Sequence, residues 1–430
     1  MKLRTLRTAP PFREVRDLLR AEAEDDPALR DSVAQIIRAV ADEGDAALLE
    51  YTRRFDRLQV GSVAELRLSA QELTTAAETL DGELLGSLRR AAENIRAFHE
   101  RQREHGFVDL LPDGSLLGQR VLPLRRVGIY VPGGRAAYPS SVLMIAIPAA
   151  VAGVEEIVMV TPAPGGEIAP AVLAAAQVAG VRELYRIGGA QAVAALAYGT
   201  ETIAPVDKIV GPGNRWVAEA KRQLYGRVDI DMVAGPSEIL VIADRSADPM
   251  QVAADLIGQA EHDPDATAWL VTPEPSLAEA VPAALDRLLA ENPRREIASA
   301  SLAGNGVVVI VPDLAAAAAV ADLRAPEHLE LLVERPLELA GLIRNAGAIF
   351  LGAFSPEPVG DYFAGPNHVL PTGGTARWAS PLGVYDFLKR TSLIGYSAAR
   401  LQRDAADVIR LAEAEGLHGH AAAIRVRIAP

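Results

Sequence analysis

Two textures of hydrophobic patterning divide this chain. Up to about residue 125, apolar side chains recur at helical spacing among charged ones, as in LLGSLRRAAENIRAFHERQREH, and the pattern predicts amphipathic helices. From Val127 onward, compact apolar runs alternate with Ala-rich stretches that mostly end at or near a glycine: VGIYVP, SVLMIAIPAAVAG, EEIVMVTP, AVLAAAQVAG, RELYRIGG, AQAVAALAYG, DKIVGPG and NRWVAEAKRQLY. Short apolar runs bounded by turn residues read as strands covered on both faces, so consecutive βαβ units building a parallel sheet are expected. A second series opens at EILVIAD and continues through TAWLVTP, GVVVIVPD, LELLVE and GAIFLG. Two doubly wound α/β sheets follow from this rhythm. After about Ser380 the chain reads as helical and polar, too short for a core of its own, and is expected to dock on something, such as a neighbouring subunit.

Composition narrows the class. The 430 residues suggest two to three domains, and with 50% apolar residues sizeable cores can form. A formal charge of −13 without any basic stripe argues against a nucleic-acid or anionic-membrane partner. The chain contains no cysteine, so any metal must be held by nitrogen and oxygen. The start, MKLRTLRTAPPFREV, lacks the apolar core of a signal peptide, and the run Val142 to Val154 is broken by Pro148 and too short to span a bilayer. A soluble, cytoplasmic enzyme is expected.

Several stretches carry candidate chemistry. In GQAEHDPD (258–265), Gln259 and His262 stand three apart near the end of a helix predicted to start at Asp248 and Pro249. They form either a polar rim at a helix end or half of a metal site. The loops VPGGRAAYPS, IGGAQA and VGPGNR fall at the carboxyl ends of predicted strands, where open α/β sheets bind ligands, although the full Gly-x-Gly-x-x-Gly fingerprint is absent. They are phosphate-binding loops or simply tight turns. Of the seven histidines, His99 and His105 lie in the charged helical region and are expected at the surface. The other five, His262, His328, His368, His418 and His420, each have a carboxylate or amide close by in sequence, which favours one composite site. Glu327 and His328 are adjacent on a segment expected to be irregular, a pairing suited to moving protons near neutral pH or equally to a solvated helix end. The Gly- and Pro-rich GDYFAGPNHVLPTGG carries Asp361 and His368, and AEGLHGHAAA carries Glu415, His418 and His420.

Taken together and in this order, YVPGGRAAYPSSVLM, GGAQAVAALAYGTETI, VGPGN, DMVAGPSE, GQAEHDP, PEHLEL, GDYFAGPNHVLPT and EGLHGHAAA resemble the histidinol dehydrogenase family over essentially the whole chain. The resemblance implies a zinc- and NAD-dependent oxidoreductase. It would convert L-histidinol through L-histidinaldehyde to L-histidine in two hydride transfers, the last two steps of histidine biosynthesis. By the same resemblance Gln259, His262, Asp361 and His420 would be zinc ligands, the last supplied by the partner in a homodimer with shared active sites. His328 would be the general base with Glu327 beside it, and Tyr130, Gln191 and Asn214 would contact NAD. Ser237, Glu415 and the weaker candidate His368 would join His328 and the metal ligands around the substrate. His420 fits the ligand position of the family's Glu-x-Leu-x-x-His tail, leaving His418 at a variable one.

The implied fold is two incomplete Rossmann-like domains, with a helical N-terminal arm (1–20) and a small helical tail domain (380–430). Residues 21–125 with 237–379 would form the metal and catalytic domain, and 126–236 the NAD domain. Three rival readings stand beside this one. They are a related zinc and NAD enzyme acting on another hydroxylated metabolite, a hydrolase in which Glu327 and His328 activate zinc-bound water, and a non-enzymatic binding module. Glu415 speaks for an amino alcohol, and the three Gly-rich loops have no purpose in a hydrolase.

Overall fold

Two six-stranded sheets organise the chain, as the apolar runs predict; the computed structural model describes residues 3–21, 26–133 and 137–429. The first part comprises β1 (Arg4–Arg7), α1 (Arg13–Ala21), α2 (Pro27–Glu43), α3 (Asp45–Tyr51), β2 (Arg67–Leu68), α4 (Ala70–Thr79) and α5 (Gly82–Glu100). The strands β3 (Phe107–Leu110) and β4 (Leu116–Pro123) follow. The first βαβ series runs β5 (Arg126–Tyr130), α6 (Pro139–Ala152), β6 (Glu156–Val160), α7 (Pro170–Ala179), β7 (Glu183–Tyr185), α8 (Gly189–Tyr198), β8 (Lys208–Val210), α9 (Arg215–Leu224) and β9 (Asp229–Ile230). The second opens with β10 (Glu238–Ala243), α10 (Pro249–Ala260), β11 (Thr267–Thr272), α11 (Pro275–Leu289), α12 (Arg295–Asn305) and β12 (Gly306–Ile310). It continues with α13 (Leu314–Arg324), β13 (His328–Leu332), α14 (Pro336–Ala340), β14 (Ala348–Leu351) and α15 (Glu357–Tyr362). The chain then runs through β15 (Leu388–Gly395), α16 (Ala398–Ala414) and α17 (His418–Ile428).

The first sheet has the order β2-β7-β6-β5-β8-β9 and is parallel except at its β2 edge. The second, β1-β12-β11-β10-β13-β14, is parallel throughout. Every residue of β5 and β10 is buried, because helices cover both faces of each sheet. On one face of the first sheet, α4 to α7 enclose Ile129, Met159 and Leu184; on the other, α2, α3, α8 and α9 enclose Val158, Val160 and Ile209. In the second sheet, α10 to α12 pack over Ile239 and Val241, while α1 and α13 pack over Leu240 and Ile242. Strand order reverses between β5 and β8 in one sheet and between β10 and β13 in the other. No helix among the described residues is long and apolar enough to cross a membrane.

Three expectations change. The N-terminal arm begins with a strand, since β1 pairs along β12 and becomes the edge of the second sheet. The resemblance groups residues 21–125 with that sheet, but the helices between Pro27 and Glu100 bury their apolar stripes against the first. An amphipathic pattern fixes which face of a helix is buried and not which sheet receives it. The tail is not wholly helical either: β15 pairs antiparallel with β4 in a small sheet of order β15-β4-β3.

Candidate active site

The candidate residues of the second sheet gather at the amino ends of its strands, beside the β10/β13 crossover. Ser237 directly precedes β10, Glu327 ends the irregular segment 325–327 as expected, and His328 is already the first residue of β13. One residue orients both. The Glu238 N–H donates to Glu327 Oε2 at 2.8 Å, and the Glu238 carbonyl accepts from His328 Nδ1–H at 3.0 Å. A carbonyl can only accept, so Nδ1 carries a proton, and Nε2 is the ring nitrogen left to face the site. That Nε2 is buried, has no hydrogen-bond partner among the described residues, and points at Asp361 Oδ1, 3.6 Å away. Burial pushes the Glu327 carboxyl up to about 8, with the Glu238 and Glu357 carboxylates adding to the effect and His328 opposing it. Burial works against charge on His328, but Glu357, Glu327 and Asp361 around it lift its pKa well above the ordinary histidine value. An acid near neutrality beside a directed imidazole is equipped to exchange protons with a substrate.

Helix α10 brings two more groups to the same edge. Asp248 caps it through Met250 N–H, Pro249 starts it, and Val252, Leu256 and Ile257 bury its apolar stripe, as expected. It ends at Ala260, ahead of Pro264, so His262 lies just past the last turn. His262 still faces Gln259: its Nδ1 lies 3.3 Å from the outer atom of that amide. Gln259 is fully buried, and with its nitrogen turned inward it donates to Glu357 Oε1 at 3.2 Å and to the Glu238 carbonyl at 3.1 Å. Its oxygen then confronts the His262 nitrogen. In the tautomer with the His262 proton on Nε2, the two present lone pairs that one cation can bridge. Glu261 turns away to accept from Asn292.

Helix α15 supplies the carboxylates, and Asp361 belongs to this helix, although its stretch reads as a loop. Ligand atoms of His262, Glu357 and Asp361 all lie within 4.8 Å of one another. An amide oxygen, an imidazole and carboxylates form a donor set that suits zinc in a nitrogen and oxygen site. Glu357 was missed in the sequence; it stands one turn before Asp361 in SPEPVGDY, and that i, i+4 spacing was the available signal. Burial raises the Glu357 carboxyl, whereas for Asp361 the contacts with His328 and the nearby imidazoles outweigh burial and hold it below its ordinary range. Beneath them Glu330 of β13 accepts the Glu357 N–H at 2.6 Å, tying α15 to the strand that carries His328.

His368 joins the same cluster. Its Nδ1–H donates to the Asp361 carbonyl at 2.9 Å and its Nε2 meets Ser141 Oγ at 3.2 Å. His99, expected at the surface, is fully buried beneath this loop. Its Nδ1–H donates to the Ile95 carbonyl at 2.8 Å, and its Nε2 lies 3.4 Å from the Asn367 amide. His105 is exposed, as expected. A cavity of about 440 Å³ opens on His328, Asp361 and His368.

The first sheet presents its opposite end. Tyr130 closes β5, Gln191 lies in the first turn of α8, and Asn214 caps α9, all at the carboxyl edge. The three Gly-rich loops lie there too, although residues 134–136 of the first fall outside the described residues. The Tyr130 hydroxyl accepts from Gly189 N–H at 3.0 Å, and the Gln191 Oε1 is buried with no partner among the described residues. Asn214 Oδ1 accepts from the Trp216 and Val217 amides. The α8 N-terminus has no side chain of its own capping it; the Gly189 N–H is taken by Tyr130, which leaves the helix amides after it to meet an anion.

The family model described as histidinol dehydrogenase matches residues 19–428. The chain is 55% identical to a histidinol dehydrogenase of Chromobacterium violaceum, over 97% of each chain. It is 53% identical to that of Heliobacterium mobile, over 97% of this chain and 98% of the other. The crystal structure of histidinol dehydrogenase from Elizabethkingia anophelis superposes with a TM-score of 0.92 at 37% identity, covering 99% of this chain and 98% of that one. The chain belongs to the histidinol dehydrogenase family.

For a histidinol dehydrogenase site, a single chain brings together Gln259, His262, Asp361, Glu327, His328 and His368, with Ser237 at the rim. Glu415 and His420 are not among them. Glu415 caps α16, His420 lies in α17, and both are exposed. His418, next to them, is exposed as well.

Proposed function

We propose that this protein oxidises L-histidinol through L-histidinaldehyde to L-histidine, with zinc and NAD, in the cytoplasm. One observation carries the reading. A buried Glu–His pair oriented by a single residue's peptide groups lies against an amide, imidazole and carboxylate cluster fit for a cation. Residues 237–379 hold the metal and the reacting groups, and the carboxyl edge within 126–236 holds the dinucleotide. Gln259, His262 and Asp361 hold zinc together with His420 of the partner subunit. When bound, zinc would supply a Lewis acid for the nitrogen groups of histidinol, and NAD would supply the hydride acceptor.

The protein's own groups move the protons. His328 Nε2 takes the proton of the substrate hydroxyl as the alcohol becomes the aldehyde. Glu327, acting with His328, takes a proton from the water that adds to the aldehyde carbon, and oxidation of the resulting diol gives the carboxylate. His368, Ser237 and the partner subunit's Glu415 line the substrate; a carboxylate suits its ammonium group. The cavity of about 440 Å³ has room for such a molecule. Keeping the aldehyde enclosed protects it between the two oxidations.

A homodimer is supported by the tail itself. Leu411, Leu417 and Val426 lie near Glu415 and His420 and are 67%, 43% and 71% exposed, an apolar surface that a second subunit can cover. Neither nucleic acid nor membrane is a partner.

The test is NADH formation from L-histidinol, followed by absorbance with and without a chelator. The reading expects two NADH per histidinol, loss of turnover on chelation, and recovery with zinc. Absence of NADH from metal-replete protein would refute it.

A further inference from the structure

The loop 211–214 at the first sheet's carboxyl edge is gripped from behind by a buried ion pair. Lys221 of α9 and Asp231, just past β9, form a salt bridge with side chains 2% and 1% exposed. Asp231 Oδ2 accepts the Gly211 N–H at 2.7 Å, and Lys221 Nζ donates to the Gly211 carbonyl at 2.9 Å. Both backbone groups of one residue are thus held by opposite charges. Gly211 has a φ of 112°, and a β-carbon there would collide with the Tyr130 carbonyl oxygen, so the loop packs directly on the end of β5. Three residues on, Asn214 caps the same helix that carries Lys221.

Fold stability does not account for this arrangement. Taking two charges out of water costs more than burying an apolar pair of similar size, so a buried ion pair is weak support for stability alone. What it adds is direction. A cation and an anion can each address a different backbone group of Gly211, which no apolar pair can do.

We propose that Lys221 and Asp231 are positioning residues for the dinucleotide: by clamping Gly211 they fix the loop against Tyr130, and with it Asn214 and the α9 N-terminus. The proposal rests on the reading that NAD occupies this edge. Neither residue touches the metal cluster, so their effect is confined to NAD.

The test compares Lys221→Met, the neutral double variant Lys221→Met/Asp231→Asn, and Asn214→Ala. The measurements are NAD affinity by calorimetry, both KM values, zinc content and circular dichroism. The double variant leaves no unpaired buried charge, so it folds even if the single one does not. The expected result in Lys221→Met and in the double variant is an NAD Kd and KM raised about tenfold, with the KM for histidinol and the zinc content within about twofold of the parent. A folded double variant with parental NAD affinity overturns the clamp if Asn214→Ala weakens NAD binding. If Asn214→Ala also binds NAD normally, the location of the dinucleotide falls, and the clamp with it. Parallel loss of NAD affinity, histidinol affinity and zinc would reduce the pair to a general structural role and refute the proposal.

Discussion

The two sheets share an architecture and present opposite ends to their candidate ligands. In the first, Tyr130, Gln191 and Asn214 stand at the carboxyl ends of strands, where helices begin. In the second, Ser237, Glu327 and His328 stand at the amino ends, where α10 finishes with Gln259 and His262 nearby. Helix polarity makes the two edges chemically unlike. Helix N-termini carry partial positive charge and exposed amides, which suit a pyrophosphate; helix C-termini carry partial negative charge, which suits a cation and an ammonium group. Only the short segment 232–236 separates Asp231 at one edge from Ser237 at the other.

If the edges divide the work in this way, substitutions at one should spare the other. The largest effect is expected from His262→Ala: loss of stoichiometric zinc and at least about a hundredfold loss of turnover, with NAD affinity preserved. Zinc analysis and calorimetry on the same preparation check this, and a fall in NAD affinity would blur the division. His420→Ala should lose zinc as His262→Ala does, while His418→Ala keeps it; equal loss in both would undo the assignment. Mixing inactive His262→Ala and His420→Ala subunits should restore about a quarter of the activity, since half of random dimers are hybrids with one intact site. No recovery after confirmed exchange would mean that the site is not shared.

Within the amino edge, Glu327→Gln should slow aldehyde oxidation about a hundredfold and alcohol oxidation by about tenfold or less. Single-turnover assays started from histidinol and from histidinaldehyde separate the two steps, and equal slowing would count against separate roles.

The smallest expected effect concerns stability near the other edge. Asp56 is buried close to Tyr130, and burial pushes its carboxyl up to about 6, the Gly188 amide opposing. A folded-state pKa above the unfolded value favours the folded protein only while the group stays protonated. That contribution is complete below the unfolded pKa of about 3.9 and disappears as pH rises to about 6. Asp56→Asn should therefore raise the thermal midpoint more at pH 8 than at pH 5, and a pH-independent change would dismiss this account.

How far the sequence revealed this arrangement depends on what each pattern encodes. Apolar runs revealed both parallel sheets, because strands covered on both faces leave a continuous signal, and Asp248-Pro249 marked the start of α10 because capping is local. Nothing local says which sheet receives α2 to α5, or that Arg4–Arg7 adds to a distant edge. His99 looked like a surface residue for the same reason: its partners, Ile95 and Asn367, come together only in the fold. Among the site residues, the i, i+3 pairing of Gln259 with His262 and the adjacency of Glu327 and His328 were visible as candidates. The role of Glu238 was invisible, since it acts through its peptide groups. Glu357 and the Lys221–Asp231 pair were overlooked because a carboxylate or lysine reads as solvated until its burial is known.

Anomalous diffraction at the zinc edge, from crystals grown with zinc and NAD, tests the central claim most directly. The account predicts one peak per subunit at the amino edge of the second sheet, bonded to Gln259, His262 and Asp361 and to His420 of the partner subunit, with NAD density over Tyr130 and Asn214. A peak at the carboxyl edge of either sheet, or one coordinated without Gln259 and His262, would contradict it.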